Sequence, residues 1–151
     1  MEIGLRKVFE ANVQVAPIMD LGDTPYGRRR IIPVLSGSLE GPDIRGKILP
    51  GGADWQFIRN DGVIELEAKY WVETHDGVLI SVVNRGLRHA PQDIMDRMNR
   101  GEAVDPSDVY FRSVPTFEAP AGPYEWLNRS LFVANLERMP DKVRMAVFQI
   151  L

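Results

Sequence analysis

Ile64-Glu65-Leu66-Glu67-Ala68-Lys69-Tyr70-Trp71-Val72-Glu73-Thr74 separates an apolar set (Ile64, Leu66, Ala68, Tyr70, Val72) from a polar one (Glu65, Glu67, Lys69, Glu73) at a strict period of two. Successive side chains of an extended chain point to opposite faces, so this stretch predicts a half-buried strand over 63–74. Trp71 is the exception on the polar face. Asn60-Asp61-Gly62 before the strand and His75-Asp76-Gly77 after it supply the glycines that tight turns between antiparallel strands demand. Three antiparallel strands are therefore expected at about 55–60, 63–74 and 77–88.

The same reading extends to both ends of the chain. Leu5, Phe9, Ala11, Val13 and Val15 alternate with Arg6, Glu10, Asn12 and Gln14, and the segment 143–151 is extended with both faces largely apolar. A chain that begins and ends in strands can pair them and remove exposed edges. Further strands are expected at 28–39, 44–49, 109–118 and 129–138, punctuated by Gly41-Pro42 and Gly122-Pro123. About eight or nine strands in one small domain predict a single all-β antiparallel β-barrel spanning 1–151, with a sandwich as the competing architecture. One segment differs. Residues 91–101 carry proline at the start, acids early, arginines late and Gly101 just past the end, which predicts a short helix. Asp93 and Arg97, and Asp96 and Arg100, stand four apart, and Ile94, Met95 and Met98 form a modest apolar face. The helix either caps a barrel mouth or simply packs on those three side chains as a crossover.

Composition excludes several functions. With 44% hydrophobic and 26% charged residues and no long apolar run, the chain does not resemble a membrane-spanning protein, and its first residues lack a secretory signal, so the cytoplasm is the expected location. Cysteine is absent, which removes disulfides, thiolate nucleophiles and sulfur-based zinc sites. His75 and His89 stand at no metal-binding spacing, so no metal is expected. A net charge of −3 argues against nucleic acid, and Arg28-Arg29-Arg30 reads as solvated strand surface. No Gly-x-Ser-x-Gly elbow and no phosphate loop occur, so neither an acyl-enzyme nor a nucleotide cofactor is expected.

An ordered set of motifs resembles the family of domain of unknown function 3237 over nearly the whole chain. It comprises Gly37-Ser38-Leu39-Glu40-Gly41-Pro42, Arg45-Gly46-Lys47-Ile48-Leu49-Pro50-Gly51-Gly52-Ala53-Asp54-Trp55, Arg59-Asn60-Asp61-Gly62, Ala68-Lys69-Tyr70, Asp76-Gly77, Tyr110-Phe111-Arg112-Ser113-Val114-Pro115-Thr116-Phe117-Glu118 and Trp126-Leu127-Asn128. The resemblance implies a small bacterial-type antiparallel barrel and assigns no activity. Ser113 and His75 depart from the residues expected there.

Asp54 is the leading candidate acid or base. The glycines before it let a ligand approach, and Trp55 beside it can exclude water and raise its pKa; the alternative is an aspartate that merely holds a turn. Arg112, between Phe111 and Ser113, would bind a carboxylate or polarise a carbonyl inside a barrel, or else pair with Glu118 or Asp54. Arg59 reads as a surface residue beside its turn. Tyr70 points inward and its phenol needs a partner, while Trp126 and Asn128 suit either a ligand at the mouth or an aromatic plug. These residues predict a barrel binding a small aromatic or carbonyl-bearing molecule. Catalysis, if present, would be cofactor-free proton transfer (isomerase, cyclase or lyase), with Asp54 and Arg112 catalytic and Trp55, Tyr70, Trp126 and Asn128 holding the ligand. A non-catalytic carrier and an oligomer-forming module are the alternatives; a homodimer is compatible with a barrel this small, but no face is marked for it and the sequence leaves the oligomeric state open. Clustering of Asp54 with Arg112 would favour catalysis, a wide apolar cavity carriage, and a filled barrel the interaction module.

Overall fold

The computed structural model describes residues 1–151. In chain order the elements are β1 (Leu5–Val15), β2 (Met19–Thr24), β3 (Gly27–Glu40), β4 (Arg45–Ile48), β5 (Ala53–Ile58), β6 (Ile64–Thr74), β7 (Leu79–His89), α1 (Gln92–Asn99), β8 (Tyr110–Glu118), β9 (Phe132–Arg138) and β10 (Lys142–Ile150). Short 3-10 turns occupy Pro106–Asp108 and Glu125–Arg129. The strands form a closed antiparallel eight-strand barrel with two extra strands. Closure comes from the chain ends, as expected: β1 pairs β10 from Leu5 opposite Ile150 to Gln14 opposite Lys142.

The count of ten exceeds eight because two positions around the barrel are shared. The long β3 pairs β2 and then β1 along one side, and β5 and then β4 along the other. β2 was not legible in the sequence, because it is almost wholly exposed and has no buried stripe; its register is set by pairing with β3 and a bulge at Gly22. The break between β4 and β5 is Leu49–Gly52. Gly51 has φ +116 and packs under the Trp71 indole, which accounts for the one apolar residue on the outer face of β6. A side chain at Gly52 would overlap the Lys69 carbonyl and Tyr70. Only glycine permits so close a backbone approach.

The barrel's two ends differ. At one, Phe117 meets Phe9 and Phe132 edge-on with centroids 5.8 and 5.0 Å apart, and Trp126 lies 6.2 Å from Phe132, so aromatic rings fill the lumen. At the other, α1 and the segment after it lie over the mouth. Ile94 and Met95 are buried, and Met98, Val104 and Pro106 line a recess with Phe111, Leu136 and Arg138. The expected Asp93–Arg97 and Asp96–Arg100 pairs do not form. Past Gly101 (φ +78) the chain turns back and offers its own acceptors: Arg97 donates to the Ala103 carbonyl and Arg100 to Glu102. No helix is long and apolar enough to cross a membrane.

Candidate functional site

Below the α1-covered mouth the inner wall changes from apolar to polar. Each strand there carries a regular inward stripe: Val34 and Ile32 on β3, Ile80 and Val82 on β7, Phe132, Ala134 and Leu136 on β9. Continuing each stripe at the same period places Arg30, then Asn84 and Arg88, and then Arg138 inside. β5 contributes Asp54 and Gln56, with Asp54 opposite Ile32 and Ala68, and Gln56 opposite Arg30 and Leu66. Tyr70 is buried two positions along β6 from Ala68.

Arg30 donates from Nη2 to Gln56 Oε1 at 2.9 Å, and Gln56 donates from Nε2 to Asp54 Oδ2, also at 2.9 Å. Asp54 is half-buried as a residue, yet its Oδ1 is sealed from solvent and has no hydrogen-bond partner. Arg30 Nε, Arg88 Nε, Arg138 Nη1 and Asn84 Oδ1 are likewise sealed and unpartnered. Arg88 lies over the Phe111 ring, 5.4 Å from its centroid. Every ion pair in the molecule joins other side chains; Arg30, Arg88 and Arg138 enter none. A cavity of about 50 Å³ lies among Asp54, Gln56, Tyr70, Asn84, Arg88 and Arg138. By the usual measure that is room for several waters or a small ligand fragment.

Burial decides the protonation behaviour. Loss of hydration pushes the Asp54 carboxyl above the ordinary carboxylate range, against the hydrogen bond from Gln56 and the fields of Arg88, Arg138 and Arg30, which act the other way. The Tyr70 phenol is pushed up by burial and by the neighbouring Asp54 charge. Burial and the other two guanidinia push Arg88 down to about 10, so it still carries its charge at neutral pH.

The sequence-predicted residues divide. Asp54 and Tyr70 meet inside the barrel. Arg112 does not join them: its position on β8 alternates out of phase with buried Phe111 and Ser113, so it lies outside, donating to Asn135 Oδ1 at 2.8 Å and stacking over Tyr110. Trp55, out of phase with Asp54 and Gln56, is also outside and 53% exposed; with Arg112, Tyr26, Phe57, Leu87 and Tyr110 it lines a broad outer groove of about 1120 Å³. Trp126 belongs to the aromatic plug. Asn128 clamps the backbone after β8, accepting from Ala119 N and donating to Ala119 O, both at 2.8 Å. Arg59 lies beside its turn and donates to the Asp61 carboxylate through two bonds. The guanidinia whose fields reach Asp54 are those of Arg88, Arg138 and Arg30. Arg30 is buried and not, as expected of Arg28-Arg29-Arg30, solvated strand surface; its spacing from Ile32 and Val34 is the signal that places it inside.

These features define a class: a closed antiparallel barrel whose inner wall ends in one buried carboxylate among arginines. The chain belongs to the family described as protein of unknown function DUF3237, whose model matches residues 3–150. It is 42% identical over 144 residues to a UPF0311 protein of Bradyrhizobium diazoefficiens, covering 95% of this chain and 94% of that one. Among solved structures it resembles the conserved protein of unknown function from Rhodopseudomonas palustris, with TM-score 0.96 and 41% identity over 100% of this chain and 99% of the other. An enzyme from Penicillium herquei has the same fold, with TM-score 0.74 over 100% of this chain and 96% of that one; at 19% identity the likeness is of the fold alone.

Proposed function

We propose that the barrel binds a small carbonyl-bearing molecule at its polar mouth and acts on it by cofactor-free proton transfer, with Asp54 as acid or base. The observation that carries this reading is the sealed, unpartnered Oδ1 of Asp54, a residue that lines a cavity it shares with Arg88, Arg138, Asn84, Gln56 and Tyr70. A carboxylate stripped of water is a stronger base, and fixed guanidinium donors stabilise negative charge as it develops. Asp54 takes a proton from carbon beside the carbonyl, and the released electron pair moves to the carbonyl oxygen, which the arginines hold. Return of the proton at another carbon is an isomerisation; its transfer from Asp54 to a neighbouring hydroxyl, which then departs as water, is an elimination. Arg112 has no part in this chemistry.

The test is deuterium exchange from solvent into a panel of small ketones and enones, followed by NMR. Exchange by the parent that falls about a hundredfold or more in Asp54→Asn supports the reading, since a positioned base contributes on that order. Binding without exchange would leave a carrier. For the outer groove the partner we propose is a second copy of the chain. The groove carries exposed Trp55, Leu87, Tyr110 and Val114 beside both acidic and basic side chains, the make-up of a self-complementary face.

A further inference from the structure

The interior carries more positive than negative charge: Arg88 and Arg138 line the cavity with the single carboxylate of Asp54, and Arg30 reaches that carboxylate through Gln56. Arg30 and Arg88 are 7% and 4% exposed, and none of the three is ion-paired. Asp141 and Asp20 act on Arg138 and Arg30 from exposed turn and strand positions, at longer range than hydrogen bonding. An excess of buried charge in a molecule of net charge −3 is costly to the empty barrel, and a ligand of opposite charge offsets that cost.

The unpartnered atoms also describe the ligand. Of the residues lining the cavity, Arg88 Nε and Arg138 Nη1 are donors awaiting anionic oxygen, and Asp54 Oδ1 and Asn84 Oδ1 are acceptors awaiting a hydroxyl. The rest of the wall, including Val13, Val34, Leu66, Phe111 and Met145, is apolar. We propose that the barrel interior is an anion site, and that its ligand is a small carboxylate bearing a neighbouring hydroxyl or enolisable carbonyl on an apolar body. This rests on the interior being the functional site and narrows the substrate class. The cavity of about 50 Å³ suits a small acid.

Calorimetric titration of the full chain at low ionic strength tests it, with glycolate and 2-hydroxybenzoate set against their neutral amides, glycolamide and 2-hydroxybenzamide, and with inorganic phosphate as a simple anion. At least one hydroxy acid should bind at least about tenfold more tightly than its amide. Arg138→Gln and Arg88→Gln should each weaken it about tenfold or more, and Arg112→Gln, on the outside, should not. Amides binding as well as acids, loss in Arg112→Gln, or no binding of any acid or of phosphate would each overturn the proposal. The ligand-free chain gives a check that needs no correct ligand: Arg138→Met should melt at the same temperature or higher, because it removes uncompensated charge, and a lower value would count against an anion site. Anion binding without Asp54-dependent exchange removes the proton-transfer reading and keeps the site; exchange into neutral ketones with no preference for acids does the reverse.

Discussion

Asp54 illustrates how a single residue can be placed inside at the expense of stability. It lies within β5 rather than in a turn, and its one side-chain hydrogen bond comes from Gln56 rather than from backbone N–H groups. Its carboxyl is raised chiefly by burial, so the folded chain holds that proton to a higher pH than the unfolded chain does. Below the ordinary carboxylate range both states are protonated and the group is neutral to stability. As pH rises through the window up to the raised value, the unfolded state ionises first and stability falls. Asp54→Asn lacks this loss. Relative to the parent it should therefore gain stability on going from pH 3 to pH 8, read as the difference between the two melting curves. A variant that instead loses ground as pH rises would mark the carboxylate as a structural acceptor. Asp76 behaves oppositely: exposed and accepting from Thr74 and Tyr124, its carboxyl is held low and favours folding at neutral pH.

At the scale of elements, the strand interruption between β4 and β5 and the plug after β8 position the site. Leu49–Gly52 breaks one barrel position, and β5 restarts with Asp54 facing inward, opposite Ile32 and Ala68. The Glu125–Arg129 turn closes the far end, and Asn128 fixes it to Ala119 through two hydrogen bonds. Asn128→Ala should cost about 1–3 kcal/mol in urea unfolding, because two backbone groups lose their partner at once. Its ligand response per folded molecule should match the parent's. Unchanged stability with lost binding would return Asn128 to the ligand-binding role expected of it from sequence.

Across the whole molecule, polar and apolar contents are separated along the barrel axis, and the outer groove stands apart from the interior. A homodimer formed through that groove should appear in sedimentation velocity at micromolar concentration, and Trp55→Asp combined with Leu87→Asp should return it to monomer without altering interior binding. A parent sedimenting as monomer throughout would remove the proposed interface. The sequence by itself determined the strands with buried stripes, their turns, the pairing of the chain ends and the presence of one short helix, because period-two alternation, glycine turns and helix-end signals are local properties; that the helix lies over a mouth came from the tertiary structure. It also marked Asp54 and Tyr70 as inward candidates. The tertiary structure alone decided that Arg30, Arg88 and Arg138 gather round Asp54 and that Arg112 and Trp55 do not. Those side chains come from four different strands, and which of them share a lumen depends on the phase at which each strand enters the closed sheet. That phase is fixed by register and by the break at Leu49–Gly52, which no single stretch of sequence contains.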